Sequence, residues 1–140
     1  ASACNAMLPS LRGQYCLRLD ADDELLPDAL AKLVRQMDMH PLAFAVYPAY
    51  IQNGLVVLNT ARHTGGALHR VRLLNELRFC DGLRHHEGKE LVGRAEKKYE
   101  LIQFDEPTWI YHRNENSLSV DKSPVRAKMG MLIDAKNKFS

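Results

Sequence analysis

An apolar segment runs straight into three carboxylates in the stretch Tyr15-Cys16-Leu17-Arg18-Leu19-Asp20-Ala21-Asp22-Asp23. In its first half every second residue is large and apolar, and alternation with a period of two predicts a β-strand. The aspartates lie where that strand is expected to end. Ligand sites of α/β folds lie at the carboxyl ends of their strands. This stretch therefore predicts an α/β fold with a ligand site at the end of the strand.

An amphipathic helix is predicted to follow from about Pro27. Proline suits a first helical turn, because its missing N–H has no partner within the helix there. Apolar residues then recur with the spacing of one helical face at Leu30, Leu33, Val34 and Met37. The helix is expected to end at His40-Pro41.

Two interpretations of the three aspartates are open. Carboxylate oxygens suit Mg²⁺ or Mn²⁺, which proteins hold with one or two carboxylates and substrate phosphates. Alternatively, the acids cap the helix and favour its positive N-terminal end. One aspartate is enough for a cap, so the presence of three favours a site for a metal ion and its ligand.

The rest of the chain alternates predicted strands and helices. A strand is expected at 44–51, where Pro48 indicates an edge or a bulge, and Asn53-Gly54 predicts a hairpin turn after it. The further predicted elements are helices at 71–77 and from about 87, strands at 100–104 and 108–112 around a turn at 105–107, and a last amphipathic helix from Ser123-Pro124.

The bulk composition limits the class of protein. The chain has 140 residues, 46% of them hydrophobic and 26% charged, as is typical of one globular domain. Its net charge of +2 is too small for the concentrated basic surface of a dedicated nucleic-acid binder, so no nucleic-acid partner is expected. No apolar run has the length of a membrane span.

The cysteines and the first residues bear on the compartment. Cys4, Cys16 and Cys80 are too few and too scattered for a disulfide framework or a zinc site. The first residues lack the charged and apolar regions of a signal peptide. We therefore expect a cytoplasmic protein. The basic face of the last predicted helix also allows a peripheral position at the inner face of the membrane.

Four motifs, in order over roughly residues 3–120, resemble the family-2 glycosyltransferases of the GT-A fold. That family has a G-x-Y strand leading to L-D-x-D-D and x-L-x-P, a small-residue segment, an E-D-x-(D/E)-L-x-x-R helix, and a closing Y-x-Y-R…S-x-S. The corresponding segments here are 13–27, Thr64-Gly65-Gly66-Ala67-Leu68-His69-Arg70, Glu87-Gly88-Lys89-Glu90-Leu91-Val92-Gly93-Arg94, and Ile110-Tyr111-His112-Arg113 with Ser117-Leu118-Ser119.

This resemblance implies a partial GT-A fold, which is an α/β/α arrangement with a mixed sheet. It also implies transfer of a sugar from a nucleotide-diphospho-sugar to a hydroxyl of a saccharide or other acceptor, with inversion at the anomeric carbon. The implied cofactor is Mn²⁺ or Mg²⁺ bound to the donor diphosphate. The site residues implied are Asp22 and His112 for the metal, and Asp20, Gly65, Gly66 and Arg94 for the substrate. For His112, a strand histidine bonded to the backbone is the alternative.

The catalytic base is where the chain departs from the family. The family uses a carboxylate of its Glu-Asp pair, and the Asp position is Gly88 here. Glu87 and Glu90 remain as candidates, and His85 or His86, with an ordinary pKa near ~6.5, is the alternative. The departure leaves a second hypothesis open, a non-catalytic module of the same fold that binds a partner or a saccharide.

The family begins with an apolar strand and βαβ structure that builds the nucleoside pocket, whereas this chain starts just before the metal-binding strand. We therefore expect one domain over 1–140 that lacks its nucleoside-binding part, at least one βαβ unit of about 30 residues. Its expected parts are the metal-binding strand and helix at 1–40, the acceptor side at 41–120 and a C-terminal helix at 121–140. A sheet without its first strands exposes an apolar edge, which predicts a homo-oligomer through that edge.

Overall fold

The computed structural model of the chain describes residues 2–80, 87–112 and 131–134. Its helices are α1 (Ser2–Met7), α2 (Ala29–Met39), α3 (Val71–Leu77) and α4 (Glu87–Ala95), and a short 3-10 helix lies at Leu8–Ser10. Its strands are β1 (Tyr15–Leu19), β2 (Glu24–Leu25), β3 (Ala43–Gln52), β4 (Leu55–Val57), β5 (Leu68–Arg70), β6 (Glu100–Ile110) and β7 (Met131–Asp134).

The strands form one mixed sheet in the order β2-β6-β3-β5-β1-β7, with β4 paired to β3. Strand β5 is antiparallel to both β1 and β3, and β3 is parallel to β6. The strands β1, β3 and β6 therefore run in the same direction. Their carboxyl ends lie at one edge of the sheet, which is the edge where the aspartates follow β1.

Helices cover both faces of this sheet, because successive side chains of a strand point to opposite faces. One face packs against α2, and the core there contains Tyr15, Leu17, Leu30, Leu33, Met37, Ala43, Val46 and Leu68. The other face packs against α3 and α4, and the core there includes Cys16, Phe44, Tyr47, Val71, Leu73, Leu74, Leu91, Val92 and Ala95. The arrangement is the expected α/β/α fold with a mixed sheet.

The elements predicted from short-range patterns are confirmed for β1, α2, α3 and the hairpin. In that hairpin, Asn53 and Gly54 have φ values of 53° and 77°. Two successive positive φ values are the requirement of the turn that fits the twist of a hairpin, and asparagine and glycine adopt them most easily. The pairing of β3 with β4 follows directly from this turn.

The turn predicted at 105–107 is wrong, because Glu100–Ile110 forms one strand along β3. The register explains the difference: Pro48 pairs with Phe104, and the next residue, Ala49, pairs with Pro107. Two residues of β6 are therefore extra at this point and bulge outward. Of the two alternatives for Pro48, the bulge is confirmed and the edge is not, since β3 lies between β5 and β6.

The C-terminal helix predicted at 121–140 is wrong at Met131–Asp134, which forms a strand antiparallel to β1. An unpaired edge of β1 offers a row of backbone donors and acceptors, and an added strand satisfies them. Residues 121–130 and 135–140 lie outside the described part. Strand β7 covers the outer edge of β1. The predicted homo-oligomer through an exposed sheet edge stays a prediction. Among the described residues, no helix is long and apolar enough to cross a membrane.

Candidate active site

The acidic stretch forms a tight turn at the carboxyl end of β1. The backbone N–H of Asp23 donates to the carbonyl of Asp20 at 3.0 Å. The turn separates the three carboxylates: Asp22 is exposed, Asp23 is buried, and the side chain of Asp20 is 33% exposed. Adjacent acids therefore have different environments and can have different roles.

Asp23 ties the turn to the end of β6. Its Oδ1 accepts a hydrogen bond of 2.9 Å from the backbone N–H of His112. Burial, together with the charges of Asp20 and Asp22, raises the pKa of Asp23 to about 6, although the bond from His112 opposes this. The role of Asp23 is therefore to hold the strand end that follows β6 beside the acidic turn.

The ring of His112, the predicted additional metal ligand, lies beside another acid. Its Nε2 is 3.0 Å from Oε1 of Glu24, and both side chains are exposed. Its backbone N–H is bonded to Asp23, as stated above. The structure thus brings His112 to the acidic turn through its backbone and directs its ring at Glu24.

The pair Gly65-Gly66 packs against β1 on one side and a tryptophan on the other. Gly65 forms a parallel bridge with Arg18, and the N–H of Gly66 donates to the Arg18 carbonyl at 2.9 Å. Gly66 has a φ of 74°, and a Cβ there would lie 2.4 Å from Nε1 of Trp109. Trp109 therefore requires the glycine at 66, and the pair lies directly beside the end of β1.

Arg18 connects the acidic turn with the start of α4. It is 5% exposed. Its Nε lies 3.8 Å from Oδ1 of Asp20, and its Nη1 lies 4.0 Å from Oε1 of Glu87. Of the candidate bases, Glu87 is thus the one that the structure places in the same site as Asp20. The alternative bases His85 and His86 lie outside the described residues.

Glu90 and Arg94 are partners of each other. Arg94 donates to both carboxylate oxygens of Glu90 at 2.6 and 2.8 Å, and also to the carbonyls of Leu77 and Arg78 at 2.7 and 2.6 Å. These bonds fasten α4 to the end of α3. The predicted base Glu90 and the predicted substrate residue Arg94 are therefore engaged in holding two helices together.

Gly88 is closely packed, although glycine usually lowers the stability of a helix. A Cβ at this position would lie 2.8 Å from Oγ1 and 3.0 Å from Cγ2 of Thr64. The residue before the Gly65-Gly66 pair thus occupies the space that a side chain at 88 would need. Gly88, at the family's aspartate position, therefore leaves the space that the side chain of Thr64 fills.

The acidic turn fits a divalent cation that also binds phosphates. Within residues 2–80, 87–112 and 131–134, no three His, Cys, Asp or Glu side chains converge to hold a metal ion. Mg²⁺ and similar ions do not need such a set, because one or two carboxylates and substrate phosphates are sufficient. Oδ1 of Asp20 is buried and has no hydrogen-bond partner in the described part. Asp20 and the exposed Asp22 therefore provide suitable oxygen ligands.

Arg18 is the site residue that the sequence interpretation missed. The sequence pattern predicts Arg18 only as a residue of the alternating strand. A charged residue among apolar neighbours in a buried strand needs charged or hydrogen-bonding partners, and that requirement was the available signal. The sequence does not indicate that Trp109 and Thr64 line the site. Each packs against a glycine far away in the sequence, Trp109 against Gly66 and Thr64 against Gly88.

Comparison with known proteins identifies the family. A search of the curated proteins finds no match. A family profile described as Glycosyl transferase family 2 matches residues 1–114. This range includes the acidic turn, the glycine pair, α4 and His112. The chain therefore belongs to glycosyl transferase family 2.

Proposed function

We propose that this domain transfers a sugar from a nucleotide-diphospho-sugar to a hydroxyl of a saccharide or other acceptor. The observation that carries the proposal is the convergence of Asp20 and Glu87 on the buried guanidinium of Arg18. Glycosyl transfer requires stabilisation of the departing diphosphate and removal of a proton from the attacking hydroxyl. The two carboxylates beside Arg18 can serve these two requirements.

The donor side is the acidic turn. Asp22 and Asp20 would hold Mn²⁺ or Mg²⁺, which supplies positive charge against the diphosphate as its bond to the sugar breaks. Asp22 is exposed and can be reached by a ligand from solvent. Asp20 contributes an oxygen that is already withdrawn from water.

Glu87 is the proposed base. Its side chain is 11% exposed and lies at the first turn of α4. As the acceptor oxygen bonds to the anomeric carbon, its proton passes to the Glu87 carboxylate. The nucleoside diphosphate leaves from the opposite face, so the configuration at that carbon is inverted. Glu90 is less suited, because Arg94 engages both of its oxygens.

A non-catalytic module of the same fold that binds a partner or a saccharide is the second candidate. The observation that favours it is Gly88, because an aspartate at this position of the family's acid pair would collide with Thr64. The first candidate predicts binding of the donor together with transfer. Only the first predicts transfer, so the two are separated by measuring binding and product in the same preparation.

The first test is thermal unfolding of the chain with Mn²⁺, with nucleoside diphosphates and their sugars, and with both. A ligand that binds only the folded state at about 100 times its Kd stabilises that state by about 2.7 kcal/mol. We expect a rise in Tm that requires the metal and the nucleotide together, and we expect Asp22→Asn to abolish it. Product formation from the stabilising nucleotide sugar is then measured with a panel of acceptors.

Asp28→Asn is the matched control. Asp28 is an exposed aspartate before α2, and its side chain makes no capping hydrogen bond. It should retain the full rise in Tm. An equal rise in Asp22→Asn and wild type would refute the assigned role of Asp22, and binding without product would favour the second candidate.

A further inference from the structure

Arg18 is a buried cation in β1, the strand between β5 and the edge strand β7. Transfer of a guanidinium out of water is unfavourable unless charged or hydrogen-bonding groups compensate for the loss of water. The acidic partners near Arg18 are Asp20, which follows the same strand, and Glu87, which begins α4. These two carboxylates are far apart in the sequence, and in the folded chain the side chain of Arg18 lies between them.

The backbone of Arg18 is fixed by its neighbours in the sheet. Its carbonyl accepts the N–H of Gly66, its register partner in β7 is Leu132, and it forms a bridge with Gly65. The guanidinium therefore extends from a fixed point. Its planar fork has five donors and can face two carboxylates at once, whereas a lysine ammonium is a point charge on a flexible stem.

We infer that Arg18 is a positioning residue that holds the donor-side carboxylate Asp20 and the base Glu87 in one fixed relation. This inference rests on the proposed function of the site. Both separations, 3.8 and 4.0 Å, exceed hydrogen-bond length. The guanidinium therefore acts by charge, and its planar, delocalised charge faces both carboxylates from a fixed position, which the point charge on a flexible lysine stem does not provide. Orientation controls rate strongly, since a misplacement of about 1 Å lowers it about 10²-fold.

The test compares Arg18→Lys with Arg70→Lys in the full chain. Arg70 is also a buried strand arginine, 4% exposed, but it donates to the carbonyls of Met37, His40 and Ala43. Both variants should unfold at lower urea concentration than wild type. Only Arg18→Lys should lower kcat, by about 10²-fold, while the KM values for donor and acceptor change by less than about 3-fold. Should Arg18→Lys not fold, Arg18→Gln provides the same comparison.

A double-mutant cycle with Glu87→Gln tests whether Arg18 acts through the base. Residues that act as a unit give losses that do not add. We therefore expect Arg18→Lys to have almost no further effect on kcat once Glu87 is replaced. Each single variant and the double variant are also checked for nucleotide-dependent stabilisation, so that loss of donor binding is not mistaken for loss of the base.

The outcomes separate this inference from the proposed function. The inference about Arg18 is overturned if Arg18→Lys and Arg70→Lys lose kcat equally, or if the losses in the double-mutant cycle are additive. In either case, sugar transfer by wild type still supports the proposed function. Donor binding without transfer by wild type also overturns the inference, because Glu87 then accepts no proton. If wild type neither binds nor transfers, the proposed function fails and the inference fails with it.

Discussion

Lowering the pH from 7 to 4 should weaken the fold through one buried histidine, His69. This residue lies in β5 between β1 and β3 and is 2% exposed. The rings of Phe44 and Tyr47 meet it edge-on at centroid distances of 5.5 and 6.2 Å. Burial, and to a smaller extent the charge of Arg18, lowers the pKa of His69 from 6.5 to about 4. The neutral imidazole is therefore the form that the folded chain retains.

The sign and size of the effect follow from this pKa. Between pH 6.5 and 4 the unfolded chain binds a proton at this histidine and the folded chain does not, so the free energy of unfolding falls as the pH falls. A pKa difference of one unit corresponds to about 1.4 kcal/mol. The change from 6.5 to about 4 therefore amounts to about 3 kcal/mol, lost progressively across this range and complete below pH 4.

Urea unfolding at closely spaced pH values checks this expectation in wild type, His69→Gln and His63→Gln. Carboxylates also titrate in this range, so the informative quantity is the difference in unfolding free energy between variant and wild type at each pH. For His69→Gln that difference should change by about 3 kcal/mol in favour of the variant from pH 7 to pH 4. His63→Gln, which alters an exposed histidine, is the control for the loss of a histidine that does not lie in the core. Parallel profiles of wild type and His69→Gln would refute the argument.

Two further predictions concern packing. Gly88→Asp should lower the free energy of unfolding by about 1–3 kcal/mol, because the new side chain would collide with Thr64. Adding Thr64→Ala should restore most of the lost stability. Equal stability of the single and double variants in urea would contradict this prediction. Tyr47→Phe should leave the stability of the fold unchanged or raise it, since the Tyr47 hydroxyl is buried without a hydrogen-bond partner in the described residues. Tyr15→Phe should instead lower the free energy of unfolding by about 1 kcal/mol, because it removes the hydrogen bond to Asp38. The reverse order of these two Tm values would be contrary evidence.

Elements fixed by neighbouring residues were predictable from the sequence. Strand β1 and helix α2 are visible as periods of two and of 3.6 residues. The hairpin turn at Asn53-Gly54 depends only on the backbone preferences of those two residues. The acidic turn was predictable as a candidate site for the same reason, because its aspartates are adjacent in the chain and follow a recognisable strand.

Elements fixed by distant partners were not predictable. Residues 105–107 look like a turn, but they lie in β6 because β3 provides a partner on either side of a bulge. Met131–Asp134 is too short to show a period that separates strand from helix, and pairing with β1 decides its conformation. The same limit applies to the site, where the meeting of Arg18 with Glu87 depends on the packing of α4 against the sheet.

The partners of the buried polar side chains separate a supporting role from a functional one. Asn5 exchanges two hydrogen bonds with the backbone of Phe79, and Arg70 donates to three backbone carbonyls. If Asn5 or Arg70 bound a ligand instead, the backbone groups that they now satisfy would lose their hydrogen bonds, which is unfavourable in the interior. The charged partners of Arg18 are instead side-chain carboxylates, and one oxygen of Asp20 has no hydrogen bond in the described part. The unbonded oxygen of Asp20 can accept a ligand without loosening a helix or strand. The proposed donor and its metal are therefore expected at Asp20, beside Arg18, rather than near Arg70.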